Sequence, residues 1–212
     1  MKIQALLLAA GQSKRFNGVK QLAQISGQSM LNLSLSNYML DKHLLPELDG
    51  LTVVLGANAD IIQQQLASNI DTFRVMDWQQ GMGRSISAAT TQLDENVTHV
   101  LIGLADQIAV KAESFRLLLN ESKNQPDKII TAYYAQKSAV PAIFPRQYFA
   151  QLMALSGDTG AKKLLLAHRE QSIQIAMPEA AIDIDSKDDL TKWLKNSNKH
   201  VISTNKVNIE EK

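Results

Sequence analysis

Cysteine is absent from the 212 residues, which excludes disulfides, thiolate metal sites and a cysteine nucleophile, and fits a reducing, cytoplasmic setting. Any bound metal must therefore use oxygen or imidazole ligands. The four histidines, His43, His99, His168 and His200, show no metal-ligand spacing and read as structural or surface residues. An excess of either charge is also missing: 22 Lys+Arg face 21 Asp+Glu, and the basic residues are scattered among acidic ones. A protein gripping several phosphates of a duplex shows a basic excess or stripe, so nucleic acid is not an expected partner, while a local anion site stays open. No apolar stretch approaches the roughly 20 residues that span a bilayer, so no membrane partner is expected. The run Ala5-Leu6-Leu7-Leu8-Ala9-Ala10 after Lys2 mimics a signal-peptide core, but it is only six residues long, and a strand entering a loop explains it better. A Gly-x-Ser-x-Gly nucleophile elbow, a Gly-x-Gly-x-x-Gly dinucleotide fingerprint and a Gly-Lys-Ser/Thr phosphate loop are all missing.

What is present is an alternation of short β-rich runs with helical patterns, the signature of an α/β domain built on a mainly parallel sheet. Expected strands are Ile3 to Leu8, Leu51 to Leu55, Thr72 to Met76, His99 to Leu104, Ile129 to Tyr134 and Ser172 to Ala176. Expected helices are Ser29 to Lys42, Ala59 to Ala67, Ser85 to Leu93, Ala112 to Lys123, Gln147 to Leu155, Ala161 to His168 and Ser186 to Leu194. A single domain over 1–195 accounts for this pattern, and a polar tail over 196–212 follows, in which Val201-Ile202 and Val207-Asn208-Ile209 offer a short strand. Ligands in such sheets bind beyond the carboxyl ends of the strands, so the residues after Leu8, Met76 and Leu104 are the ones to inspect.

Strand one runs directly into Leu8-Ala9-Ala10-Gly11-Gln12-Ser13-Lys14-Arg15-Phe16, then Asn17-Gly18-Val19 and Lys20-Gln21-Leu22. Small residues come first and cations later. Ala9, Ala10 and Gly11 let a phosphate approach the main-chain amides, and Arg15 and Lys20 supply positive charge to a triphosphate. Asp106 follows the apolar run Val100-Leu101-Ile102-Gly103-Leu104 and so falls at the carboxyl edge, where a hard divalent cation bridging phosphates takes one or two carboxylates; the competing reading is a cap or turn aspartate before the helix near Lys111. In Ile182-Asp183-Ile184-Asp185 the two carboxylates share one side of an extended chain, and Asp183 ranks ahead of Asp185, which precedes a helix start.

Leu-Ala-Ala-Gly-x-Ser-x-Arg-Phe followed by Lys-Gln-Leu resembles the signature of the molybdenum cofactor cytidylyltransferases, a branch of a wider nucleotidyltransferase superfamily. The resemblance continues through Trp78-Gln79-Gln80-Gly81-Met82-Gly83-Arg84-Ser85-Ile86, Leu104-Ala105-Asp106-Gln107, Pro141-Ala142-Ile143-Phe144, Gly157-Asp158-Thr159-Gly160-Ala161 and Asp183-Ile184-Asp185, in the expected order. Asn17-Gly18-Val19 departs from the family's commoner spacing before the lysine, and Ile108 stands where proline is frequent.

That resemblance implies a Rossmann-like three-layer fold and transfer of CMP from CTP to the phosphate of molybdenum-bound molybdopterin, with release of pyrophosphate. It implies that Leu8, Ala9, Ala10 and Gly11 hold the nucleotide's phosphates, and that Arg15 and Lys20 stabilise the departing pyrophosphate. Asp106 then holds Mg²⁺ or Mn²⁺ together with Asp183 or Asp185, Gly81 and Ser85 meet the base or ribose, and Trp78 and Asp158 face the acceptor. Ala10, where guanylyl-transferring relatives carry glycine, points to CTP over GTP. Implied partners are the molybdenum cofactor and a recipient molybdoenzyme or its chaperone. The rival readings are the same chemistry on another nucleotide or on a sugar, alcohol or polyol phosphate, and a non-catalytic carrier of the cofactor.

Overall fold

A computed structural model describes residues 1–195. The chain runs through β1 (Ile3–Leu8), the hairpin β2 (Gln24–Ile25) and β3 (Gln28–Ser29), α1 (Met30–Ser36), a second hairpin of β4 (Met39–Leu40) and β5 (His43–Leu44), β6 (Gly50–Leu55), α2 (Ala59–Gln63), β7 (Asp71–Arg74), α3 (Met82–Thr91), β8 (His99–Leu104) and α4 (Ala112–Asn124). It continues through β9 (Ile130–Tyr134), β10 (Lys137–Pro145), α5 (Phe149–Met153), α6 (Lys162–Ala167), β11 (Ile173–Ala176) and a helix, α7, over 187–195.

Seven strands form one sheet in the order β11-β9-β10-β8-β1-β6-β7, in which only β10 runs antiparallel to its neighbours. Strand β1 shows why the centre holds. Its Ala5 and Leu7 enter one apolar cluster with Leu31, Leu35 and Leu118 beneath α1 and α4, whereas Leu6 and Leu8 enter another with Ile86, Leu152 and Leu164 beneath α3, α5 and α6. Alternate side chains on a strand point to opposite faces, so a run apolar at every position is the pattern of a strand covered on both sides. The result is the expected three-layer, mostly parallel Rossmann-like α/β fold. A third, smaller cluster gathers Phe16, Ile25, Met30, Ile108 and Ile184, with Leu190 and Trp193 of α7 packed against it. It fastens the loop after β1 to the segments that carry Asp106 and Asp183.

Several elements differ from their sequence expectation for physical reasons. Strand β10 was unexpected. Pro141 interrupts it, and the pairing with β9 shifts register between Ala139 and Ala142, which places the proline at a bulge where a missing N–H is tolerated. Helix α1 stops at Ser36 rather than Lys42, because the chain reverses through Asp41 and Lys42, both at positive φ, into the β4–β5 hairpin. Helix α2 ends at Gln63, four residues early, and β7 ends at Arg74, leaving Met76 on an exposed loop. Helix α3 begins at Met82 instead of Ser85. The expected start of the last helix holds. Ser186 Oγ accepts from the Asp189 amide, and Asp189 Oδ2 accepts from the Ser186 amide, a reciprocal cap. His200 and the expectations for the tail lie outside the described residues.

His99 is buried at the start of β8, where Nε2–H donates to the Pro126 carbonyl at 2.7 Å and Nδ1 faces the Thr98 hydroxyl at 2.9 Å. Burial lowers its pKa below the ordinary 6.5, against the opposing pull of the Pro126 bond. The native state therefore binds fewer protons than the unfolded chain in the window just below 6.5, and stability falls as pH drops through it. Replacing this residue by His99→Gln is expected to shrink the loss of thermal midpoint between pH 7.5 and pH 5.5, read by circular dichroism. An unchanged loss would assign the acid sensitivity elsewhere.

Candidate active site

Leu8 and Leu104 are paired neighbours at the ends of β1 and β8, so the loops that follow them open side by side into one cleft of about 540 Å³. Every candidate residue named from the sequence lines this cleft: the four first-loop residues, Arg15, Lys20, Trp78, Gly81, Ser85, Asp106, Asp158, Asp183 and Asp185.

The floor of the cleft is a charge network. Lys20 Nζ donates to Asp106 Oδ2 at 2.5 Å and to Asp185 Oδ1 at 2.9 Å, and Arg15 donates to Asp185 Oδ2 at 2.6 Å. Burial works against the charged form of Lys20, but attraction to Asp106 and Asp185 outweighs it and leaves the ammonium held more firmly than in water. Burial likewise opposes the charge on Asp185, yet its bonds from Lys20 and Arg15 hold its carboxyl below the usual range. Arg15 is by contrast mostly open to solvent, with its side chain 75% exposed, so its pair with Asp185 is weakly held and the guanidinium is available to a ligand.

Asp106 and Asp183 are left with unspent capacity. Asp106 Oδ1 is buried without a partner, and Asp183 makes no hydrogen bond or ion pair among the described residues. Although Asp183 keeps much of its surface open to the mouth of the cleft, the crowding walls and then repulsion from Asp106 and Asp185 raise its carboxyl to about 6. Two carboxylates that repel each other across a recess form an oxygen-only donor pair for a hard divalent cation, which takes one or two protein carboxylates and fills its shell with water and phosphate oxygens. The chemistry of the residues fits such an ion. Among the described residues no group of three or more His, Cys, Asp or Glu is assembled for a metal, and the expectation was a pair, Asp106 with Asp183 or Asp185. Both oxygens of Asp185 bond to Lys20 and Arg15, whereas Asp106 keeps one oxygen without a partner and Asp183 keeps both. Nor is Asp106 a helix cap: α4 opens at Lys111, and Asp106 bonds to no helix amide.

The opposite wall comes from α3 and from the Gly157–Asp158 turn. Gly81, at φ +101, has no room for a side chain, since a Cβ there would lie 2.4 Å from Asp158 Oδ1 and 2.5 Å from the Gly157 carbonyl carbon. Gly83 N–H donates to the Gly157 carbonyl at 2.8 Å. The two glycines thus let one loop seat on the other and bring Asp158 beside the start of α3. Ser85 is buried and lines the cleft, and Trp78 packs on the second core cluster while bordering the cleft.

Two glutamines escaped the sequence reading. Gln107 is buried, and its Nε2 donates to the Ala180 carbonyl at 2.8 Å, which together with Ile184 N–H to the Asp106 carbonyl at 3.3 Å sets the distance between the strands of chain carrying the two carboxylates. Gln21 is buried beneath the first loop. The signal available was only their place, each one residue after a charged motif residue.

Residues 5–172 match the family model described as the MobA-like NTP transferase domain. Over 133 residues the chain is 29% identical to the bifunctional protein GlmU of Pseudomonas putida, a match covering 62% of this chain and 28% of that protein's length. Rv0371C of Mycobacterium tuberculosis, solved in complex with manganese, superposes with a TM-score of 0.74 at 25% identity, covering 92% of this chain and 99% of that one. The molybdopterin-guanine dinucleotide biosynthesis protein A of Archaeoglobus fulgidus shares the fold, with a TM-score of 0.65 at 14% identity over 92% of this chain and 99% of its own. With the family model spanning six of the seven strands of the sheet and most of the cleft, the chain belongs to the MobA-like NTP transferases.

Proposed function

We propose that the protein transfers CMP from CTP to the phosphate of molybdenum-bound molybdopterin, giving the cytosine dinucleotide form of the cofactor and pyrophosphate. The observation that carries this reading is the pairing of two cation-seeking carboxylates, Asp106 and Asp183, with the small-residue loop and the cations Arg15 and Lys20 in one cleft. An acceptor-phosphate oxygen forms the new bond to the α-phosphorus, and the α–β anhydride bond breaks with its electron pair leaving on pyrophosphate. A phosphate monoester is already nucleophilic near neutral pH, so the protein needs no general base and contributes alignment and charge stabilisation.

Asp106 and Asp183 would hold Mg²⁺ or Mn²⁺, which when bound neutralises phosphate charge and polarises the α-phosphate. Lys20, bonded here to Asp106 and Asp185, would turn its ammonium to the phosphates of the nucleotide. Arg15, already exposed, reaches the outer phosphates. The Trp78 and Asp158 side of the cleft receives the acceptor. Ala10, buried at the cleft wall, narrows the slot and supports cytosine over guanine. A recipient molybdoenzyme or its chaperone then takes the product.

Pyrophosphate release is measured with each of the four NTPs in turn, with Mg²⁺ or Mn²⁺ and with molybdenum-bound molybdopterin. Release with CTP at least about tenfold faster than with GTP is expected, the scale on which one methyl-sized change in a pocket discriminates. A preference for GTP overturns the cytidylyl assignment, and release only with a sugar or polyol phosphate overturns the acceptor.

A further inference from the structure

We infer that Gln21 is the positioning residue of the nucleotide loop, the group that aims the amides of Ala10 and Gln12 into the cleft. The inference rests on the nucleotidyltransferase reading of that cleft. Gln21 is 2% exposed, and its carboxamide is fully committed to one stretch of chain. Nε2 spends its two hydrogens on the carbonyls of Ala9 at 2.9 Å and Gly11 at 3.1 Å, and Oε1 accepts from the Ser13 hydroxyl at 3.1 Å. The Ser13 hydroxyl in turn accepts from the Lys20 amide at 3.4 Å, which closes the loop on the residue next to Gln21.

The spacing of these partners gives the staple its effect. In a planar trans peptide the carbonyl of one residue and the N–H of the next point in opposite directions. Turning the Ala9 and Gly11 carbonyls inward to Gln21 therefore turns the Ala10 and Gln12 N–H groups away from it. Among the described residues the amides of Ala10, Gly11 and Gln12 donate to no backbone acceptor, and all three residues line the cleft. A row of unspent amides facing a recess with nearby cations is a seat for phosphate oxygens. Without Gln21 the inward carbonyls would lose their donors: the Ala57 amide still holds the Ala10 carbonyl at 3.0 Å, but among the described residues no other hydrogen bond holds the Ala9–Ala10 and Gly11–Gln12 peptide planes.

CTP and inorganic pyrophosphate, each with Mg²⁺, are titrated calorimetrically into the wild type, Gln21→Glu and Gln21→Met. Glutamate keeps the shape but sets a carboxylate against two carbonyl oxygens; methionine keeps the length and offers no donor. Each hydrogen bond to a charged group contributes about tenfold in affinity, so a loss of about tenfold to a hundredfold for both probes is expected in either variant that stays folded. Unchanged affinity in a folded variant overturns the proposal. The wild type supplies an independent test: in ¹⁵N-labelled protein the Ala10 and Gln12 amide resonances must shift when pyrophosphate is added, and stationary resonances overturn the proposal even where both variants fail to fold. Wild-type protein that binds neither probe overturns the nucleotide reading itself, a result distinguishable from loss in the variants alone.

Discussion

Asp106→Asn is expected to lower turnover at least about a hundredfold while the protein stays folded, because a metal-held phosphate draws several kcal/mol of transition-state stabilisation from the carboxylates that hold the ion. The substitution removes charge with almost no change in volume. Its effect on stability is bounded by the network on the cleft floor: Lys20 keeps Asp185 at 2.9 Å, and the asparagine oxygen still accepts from the ammonium. A charged hydrogen bond reduced to a weaker one costs about 1 to 2 kcal/mol, and that lowers the thermal midpoint of a chain this size by about 2 to 8 °C. Pyrophosphate release and thermal midpoint are measured on the same preparation. Near-normal turnover would remove Asp106 from the site, and a collapse of the midpoint would make it a structural residue.

The same network bears on the proposed binding of a cation and a nucleotide in this cleft. Lys20 neutralises Asp106 and Asp185 together, since its ammonium touches both, and Arg15 adds a second positive charge to Asp185. Asp183 has no ion pair of its own among the described residues, and burial with repulsion from Asp106 and Asp185 outweighs the pull of Lys20 and Lys137 and raises its carboxyl to about 6. At neutral pH it is ionised but uncomfortable, and an arriving divalent ion relieves the repulsion that raised it. The two cations, Lys20 and Arg15, face three carboxylates, Asp106, Asp183 and Asp185, so the floor of the cleft carries one unmatched negative charge, which is what the proposed cation would answer.

Much of this was legible in the sequence where a single local pattern carried it. Strands β1 and β8 fall at their expected bounds, because each is built on an apolar run buried on two faces. Helix α1 was expected to run to Lys42, but positive φ at Asp41 and Lys42 came without a glycine to announce it. Strand β10 hid behind Pro141, since a proline argues against a strand unless a bulge is known to sit there. The first loop and Asp106 were readable as types of residue after a strand. Their mutual geometry was not: Lys20 meets Asp106 across 86 positions and Asp185 across 165, and no local periodicity reports a contact at that separation. Gln21 and Gln107 were invisible for a related reason, because an amide that satisfies carbonyls looks in sequence like any surface glutamine.

Gly103→Ala is expected to destabilise the protein, and Tyr38→Phe to restore it. Gly103 lies in β8 directly beneath Tyr38, whose ring stacks on Phe115 with centroids 4.2 Å apart. A Cβ at position 103 would stand 2.0 Å from the tyrosine oxygen but 3.4 Å from its ring carbon Cζ and 3.8 Å from Phe115. The clash is thus with one atom. That atom is fully buried without a hydrogen-bond partner, and burial pushes the hydroxyl's pKa far up, so it stays a neutral hydroxyl with nothing to donate to. The ring has no space to retreat into, and overpacking of this kind costs about 1 to 3 kcal/mol, or roughly 2 to 12 °C of thermal midpoint. Leu104 and Asp106 follow at once, so a shifted β8 should also move the carboxylate and lower turnover. Tyr38→Phe alone removes an unsatisfied polar group and is expected to leave stability unchanged or raise it. In the double variant the new methyl meets only a ring carbon at ordinary contact distance, and midpoint and turnover should both return toward wild type. Additive losses in the double variant would mean that glycine is needed at position 103 for its backbone rather than for the room it leaves the hydroxyl.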